Sequence, residues 1–356
     1  MSTWKATIKE TKVLYPVLKR LYSGFLEIKA LPKYIHADDL SVFVNRHTGR
    51  KYLIYHYEGM SGLMTQMICV LGWLRYAELN NFTLIVDMTS GKNLYSDGKS
   101  NAWERYFRQP MTSASIGVPE IRDIQENESY GICPMFVRHN LRYEWVYRHI
   151  SKIIKPSIPF PLPRDYKERP DLQLQFSALY KKYIRFQPDV QSYLEQEYTE
   201  LLQNKGSVLG VLVRGTDYVQ SKPFMHPVQP TLEQVIALIE KKQDTCHWDY
   251  IYLATEEQAV SSALRRRYPG RIIENSRSYY DGDYSGQWLY SVLKKSDDMA
   301  YLSGLQYLSS IFLLSKCDYL TGGLCGGTQA ALIMNGGRYK SVDLFDNGDY
   351  GVSEEK

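Results

Sequence analysis

Gly210-Val211-Leu212-Val213-Arg214-Gly215-Thr216-Asp217-Tyr218 is the stretch on which the fold of this chain turns. An apolar run from Val208 to Val213 stops abruptly at a guanidinium, a glycine, a hydroxyl and a carboxylate. In an open α/β sheet, ligands bind just outside the carboxyl ends of the strands, where such a cluster would lie. The planar fork of Arg214 suits paired phosphate oxygens and stays charged at any working pH. Gly215 lets the backbone turn or come close to a ligand. Asp217 can orient Arg214 or accept from a sugar hydroxyl. A surface ion pair at a strand end would give the same four residues, so the rest of the chain has to decide.

Outward from this stretch the same architecture repeats. Strand Val208–Val213 is followed by helix Thr231–Lys241, strand Tyr250–Ala254, helix Glu257–Tyr268 and strand Arg271–Ile273. After a polar loop come helix Ala300–Lys316, a short strand Tyr319–Leu320 and helix Gly326–Asn335. Upstream, Lys51–Tyr55 reads as a strand, the glycine-bearing turn Glu58–Leu63 follows, then helix Met64–Asn80 and strand Phe82–Asp87, a β-α-β unit. Pro156 to Pro163 holds four prolines and fits neither helix nor central strand, so it reads as a linker, with a long helical stretch after it to about Gln203. Residues 88–150 show no clear periodicity. The expected fold class is α/β, with two Rossmann-like halves and a proline-rich seam between them.

Composition narrows the function. With 356 residues, 44% hydrophobic and 23% charged, the chain is long enough for two real cores. A net charge of +4 is too small for a dedicated nucleic-acid binder. No apolar run reaches the roughly 20 residues of a membrane-spanning helix, and the N-terminus does not read as a secretory signal. The five cysteines, at 69, 133, 246, 317 and 325, have no zinc spacing and suit a reducing compartment. A cytoplasmic location follows as an expectation, with no metal and no cofactor. The first 35 residues carry seven Lys or Arg against two Glu, with Val13, Leu14, Val17, Leu18, Leu21 and Phe25 at helical spacing. That pattern suits peripheral contact with an anionic membrane, or a helix docked on the protein body with a solvated basic face.

Three strand ends come into register in the second half: Arg214; Thr255-Glu256-Glu257; and Thr321-Gly322-Gly323-Leu324-Cys325-Gly326-Gly327-Thr328. Glycines that open a helix offer backbone N–H groups and the helix dipole to a phosphate, or simply allow tight packing. Neither a GxGxxG fingerprint nor a Walker loop occurs.

These blocks resemble the α1,6-fucosyltransferases, a group that includes the bacterial nodulation fucosyltransferase. They are more distantly similar to the α1,2- and protein O-fucosyltransferases. The family's donor motif, His-Val-Arg-Arg-Thr-Asp with a downstream His-Pro, resembles Leu212–Asp217 followed by His226-Pro227. The similarity continues through Ile251–Glu257, through Ser310–Leu320, and through the turn Gly59-Met60-Ser61-Gly62-Leu63-Met64-Thr65-Gln66. The resemblance implies an inverting, metal-independent transferase that uses a GDP-sugar, most simply GDP-fucose. It implies a GT-B-like fold, two Rossmann-like domains facing across a cleft: a basic amphipathic segment 1–35, an acceptor-side domain 36–170, and a nucleotide-sugar-binding domain 171–356. Its acceptor would be a glycan or a lipid-linked oligosaccharide.

On the donor side it implies Arg214, Thr216, Asp217, His226, Thr255, Glu256, Glu257, Gly326, Gly327 and Thr328. Arg214 would hold the β-phosphate, with Arg214 and Asp217 as catalytic candidates. On the acceptor side it implies Glu58, Gly59, Gly62 and Gln66, with Tyr55 and Tyr57 able to stack on sugar rings. Four departures stand out: Leu212 replaces the motif histidine, Gly215 the second arginine, Ser310 a late-helix aspartate, and Ser221-Lys222-Pro223 the region of the expected base. The base is left open among Asp217, Asp281, Asp283, Glu58 and His226. Two rivals also stay open: a GT-B transferase for another nucleotide sugar, and a catalytically silent nucleotide- or glycan-binding protein.

Overall fold

The residues described in the computed structural model are 37–44, 51–57, 61–89, 93–112, 137–138, 166, 168–215, 219–220, 222, 226–243, 245–280 and 297–350. The basic segment 1–35 and the proline-rich stretch lie outside them. The second half forms a five-stranded parallel sheet from β5 (Val208–Leu212), β6 (Tyr250–Ala254), β7 (Ile272–Ile273), β8 (Tyr319–Gly323) and β9 (Ser341–Phe345). Their order is β7-β6-β5-β8-β9. The chain therefore steps outward from β5 in one direction and then returns to β5's other side. That reversal between β5 and β8 is the topological switch point where such sheets bind ligands. The β5 residues are all buried, as befits a central strand covered on both faces.

The first half holds β1 (Ala37–Val44), β2 (Lys51–His56), α1 (Leu63–Asn80), β3 (Phe82–Asp87) and the two-residue β4 (Val137–Arg138). Strands β2 and β3 are parallel and joined through α1, the β-α-β unit expected from the sequence. Strand β1 adds to β2 in antiparallel register, from Asp39 opposite His56 to Val44 opposite Lys51. Sequence periodicity did not mark β1 or β9.

The long helical stretch before β5 is two helices, α2 (Pro170–Tyr183) and α3 (Pro188–Leu201). Pro188 has no N–H to donate, so it starts a helix rather than continuing one. In the break, Phe186 makes an antiparallel bridge to Phe107. The other α-helices among the described residues are α4 (Leu232–Gln243), α5 (Gln258–Arg267), α6 (Asp297–Leu314) and α7 (Gly326–Asn335).

One apolar core runs through both halves. It joins Leu63, Met64, Met67 and Leu71 of α1 to Leu308, Ile311 and Leu314 of α6 and to Ala330 and Ile333 of α7. Helix α1 packs on α7, α6 and α2, so the first half is seated on the second through helices. Tyr106, buried in the first half, donates its hydroxyl to the α6 carbonyls, 3.0 Å from Tyr301 O. Its ring stacks on Tyr301 at 5.4 Å. Gly304 makes this approach possible, because a β-carbon there would overlap the Tyr106 hydroxyl and stand 2.9 Å from Tyr95 Cδ1. Gly304→Val should cost about 1–3 kcal/mol of stability, the usual penalty of overpacking. Chemical denaturation would measure it, and an unchanged midpoint would mean the contact is not tight.

Candidate functional site

The carboxyl ends of β5, β6 and β7 bring three polar segments to one edge. Arg214 leaves β5 half-buried, beside Tyr95 and Tyr307. Both phenols are buried. Burial pushes Tyr95 up to about 12 and Tyr307 well above its ordinary value, while Arg214 pulls each the other way. Both therefore stay protonated, and the Tyr95 hydroxyl accepts the first amide of α1, Leu63 N, at 3.0 Å. Tyr95 thus links the guanidinium's surroundings to the helix start of the opposite half.

At the end of β6, Thr255 is buried and its hydroxyl accepts Glu257 N at 3.2 Å. Glu256 O receives Tyr280 N at 2.9 Å, which ties the loop after β7 to this strand end. The carboxylate of Glu257 lies directly over Gly215, where any β-carbon would overlap it. The position that departs from the two-arginine motif is therefore filled by an acidic group reaching in from β6.

Across the switch point, α7 starts at Gly326, but its N-terminus is not bare. A β-carbon on Gly326 would collide with Thr65 Oγ1 of α1. One on Gly327 would stand 3.0 Å from Leu212, 3.1 Å from Ile311 and 3.2 Å from the Tyr307 hydroxyl. Both glycines are buried, so they serve close packing of α1, α6 and β5 against the helix start. Thr328 is fully buried and closes the helix cap: its Oγ1 accepts Cys325 N at 3.1 Å and lies 2.9 Å from Gly323 O. This hydroxyl, expected at the donor, points inward instead.

His226 is half-buried at the far side of the same edge, where its carbonyl accepts Tyr350 N at 2.9 Å. Thr216, Asp217, Glu58, Gly59, Asp281 and Asp283 lie outside the described residues. Gly62 precedes α1 and faces Tyr307, 3.7 Å from where its β-carbon would be. Gln66, expected to face the cleft, is fully buried: its amide donates to Ser61 O at 2.8 Å and braces the turn. Tyr55 and Tyr57 are core residues too, and the Tyr57 hydroxyl pairs with Ser61 Oγ at 2.6 Å.

Two features escaped the sequence. Arg277, in the loop after β7, donates Nη1 to Ser310 Oγ of α6 at 3.2 Å. In addition, β2 and β3 end side by side on His56 and Asp87, whose Nδ1 and Oδ2 are 2.6 Å apart. Thr89 adds its amide and hydroxyl to Asp87 Oδ1 at 3.0 and 2.7 Å. The only signal for either was a short apolar strand closing on a polar residue, as at Arg214. Among the described residues, no three His, Cys, Asp or Glu side chains group as metal ligands, and no helix is long and apolar enough to cross a membrane.

Residues 172–325 match the family model described as the N- and catalytic domains of α-(1,6)-fucosyltransferase. That match, over 154 of the 356 residues, is a similarity to the fucosyltransferases and marks the chain as a glycosyltransferase. The fold agrees: the fucosyltransferase NodZ from Bradyrhizobium superposes with a TM-score of 0.51 at 17% identity, over 83% of this chain and 94% of that one. A NodZ α-1,6-fucosyltransferase soaked with GDP-fucose matches at 0.49 and 17%, over 83% and 95%. An Arabidopsis thaliana FUT1 variant in complex with GDP matches at 0.47 and 14%, over 84% and 72%. The α/β, GT-B-type architecture expected from the sequence is the one found.

Burial raises the Asp87 carboxyl, but the hydrogen bonds from His56 and Thr89 outweigh it and the net shift is downward. A carboxylate whose folded value lies below its unfolded value of about 3.9 stabilises the fold above that pH. The contribution is lost as pH falls through the folded value. Asp87→Asn should thus lower stability at pH 7 by about 1–3 kcal/mol, the range for charged hydrogen bonds. It should also flatten the acid limb of the denaturation midpoint below about pH 4. Parallel wild-type and variant curves would show that the pair contributes nothing.

Proposed function

We propose that this chain transfers fucose from GDP-fucose to a hydroxyl of a glycan or lipid-linked oligosaccharide, with inversion at the anomeric carbon and without a metal. The observation that carries this reading is the half-buried Arg214 guanidinium at the switch point of a parallel sheet, inside the fucosyltransferase-matching region. In such a transfer the acceptor oxygen bonds to the anomeric carbon as that carbon's bond to the β-phosphate oxygen breaks. GDP leaves with the bonding electrons, and the acceptor proton passes to a base. Charge builds on the departing diphosphate, and a preorganised cation there lowers the barrier. Arg214 fills that role with its bidentate fork, and Asp217, next along the motif, is the second catalytic candidate. The base belongs to the carboxylates Glu58, Asp217, Asp281 and Asp283 or to His226.

The acceptor would enter from the first half, whose α1 starts opposite Arg214. Cytoplasmic work at the membrane surface fits the basic, amphipathic residues 1–35 and lipid-linked acceptors.

A second reading has one observation in its favour. Glu257 sits over Gly215, so a carboxylate occupies ground next to the residue proposed to hold the donor phosphates. A protein that binds the nucleotide without turning it over would tolerate this arrangement.

Arg214→Ala separates the two readings. Under the transferase reading, turnover of GDP-fucose falls at least about a hundredfold, the scale for losing one preorganised charge-stabilising donor. Near-wild-type turnover in this variant would remove Arg214 from the phosphate site. GDP binding by the wild type with no transfer to any acceptor would favour the silent reading.

A further inference from the structure

Among the described residues, Arg277 is a cation with no acidic partner. It is half-buried. Among the described residues it makes one hydrogen bond, from Nη1 to the neutral Ser310 hydroxyl at 3.2 Å. Its Nε is buried without an acceptor. Among the described residues, no carboxylate forms an ion pair with it. A buried donor left unpaired costs free energy, and a half-buried charge costs more, so a bound acceptor on the exposed Nη edge would offset that cost.

The loop is built to hold this guanidinium still. Asn275 Nδ2 donates to Gln306 O at 3.2 Å, and Ser278 N donates to Gln306 Oε1 at 3.1 Å. The buried Asn275 Oδ1 receives the Tyr252 hydroxyl at 3.2 Å and lies 3.0 Å from Ser310 Oγ. Three contacts on one turn of α6, at 306 and 310, therefore fix residues 275–278. Between those positions Tyr307 looks toward Arg214, so adjacent faces of one helix turn reach both cations.

Position along the sheet tells what Arg277 would meet. In doubly wound sheets the phosphates lie at the switch point, and an acidic residue after the second strand takes the ribose hydroxyls. Here the switch point is at β5, marked by Arg214, and the acidic residue after β6 is Glu256. The next strand end is β7, about 10 Å from β5 by two strand spacings. A nucleoside laid phosphate-first on Arg214 thus brings its base to the loop that carries Arg277. Arginine's side-by-side N–H groups match two acceptors on one edge, as guanine offers at O6 and N7 and adenine does not.

Resting on the GDP-sugar reading above, we infer that Arg277 is the specificity-determining residue that reads the O6/N7 edge of the donor's guanine. The test is calorimetric titration of the full chain with GDP, 7-deaza-GDP, ADP and inorganic pyrophosphate, on the wild type and on Arg277→Met. The wild type should prefer GDP to ADP and lose affinity when N7 becomes carbon. Arg277→Met should weaken GDP by about 5- to 150-fold, the range of one bidentate arginine–guanine pair. The variant should bind GDP and 7-deaza-GDP equally and keep its affinity for pyrophosphate.

If the variant does not fold, the analogue series on the wild type decides alone. Equal wild-type affinity for GDP and 7-deaza-GDP overturns the inference and leaves the donor reading intact. So does a variant that loses GDP and pyrophosphate in the same proportion, since Arg277 would then be a phosphate cation. A wild type that binds no nucleoside diphosphate overturns both.

Discussion

The architecture hangs on one helix, Asp297–Leu314, whose first turns reach solvent at Asp298, Met299 and Leu302. From Ser303 to Leu314 it has no exposed residue, so that part must be wrapped by the rest of the chain. Here it lies against β5 and β6, against α1 and α7, and against α3, and it takes the Tyr106 hydroxyl on its own carbonyls. The second-half sheet, the first-half core and the loop after β7 therefore share a support. Gly304 allows the closest of these approaches, and Tyr307 and Ser310, one turn further on, meet the surroundings of the two guanidiniums. The cleft edge is consequently positioned by helix packing rather than by its loops.

The chemistry at that edge is set by what each strand end delivers. Two neighbouring strands end on a cation and a pair of acids, and the loop after the third carries a second cation. The first half contributes a protonated Tyr95 that caps α1 and sits by Arg214, and Thr65, which fills the space over Gly326. The sequence left the glycines at α7 open between bare amides for a phosphate and tight packing, and the structure shows that helix start occupied by its neighbour. Under the proposed donor reading, anion binding would then fall to the arginines. The overlap of Glu257 with the Gly215 position works in the opposite sense, as negative charge held beside the same ground.

Much of the second half was legible in the sequence. The runs Val208–Leu212 and Tyr250–Ala254 are continuous apolar segments of strand length, and Gly326–Asn335 is an apolar stretch bounded by glycines, so local pattern alone places them. Strand Phe82–Asp87 was equally plain. Strands β1 and β9 were not, because their residues alternate weakly and acquire a role only by pairing with β2 and β8. The break before Pro188 was hidden by helical periodicity on both sides.

In the site, Arg214 and Glu257 stood out because each lies within three residues of the end of an apolar strand. Gln66 and Thr328 are polar residues in the right turns, yet their hydrogen bonds close on the local backbone, which residue type cannot reveal. Arg277 with Ser310, and His56 with Asp87, are contacts between residues 33 and 31 apart in sequence, made only by the fold.

The most direct test of the central claim is amide hydrogen exchange of the full chain with and without saturating GDP. A nucleoside diphosphate lying along the carboxyl ends of β5, β6 and β7 should slow exchange around residues 213–215, 255–257 and 274–280 together, because bound ligand suppresses local opening. Protection confined to the first half, or around residues 326–328 alone, would contradict the account and move the donor site elsewhere.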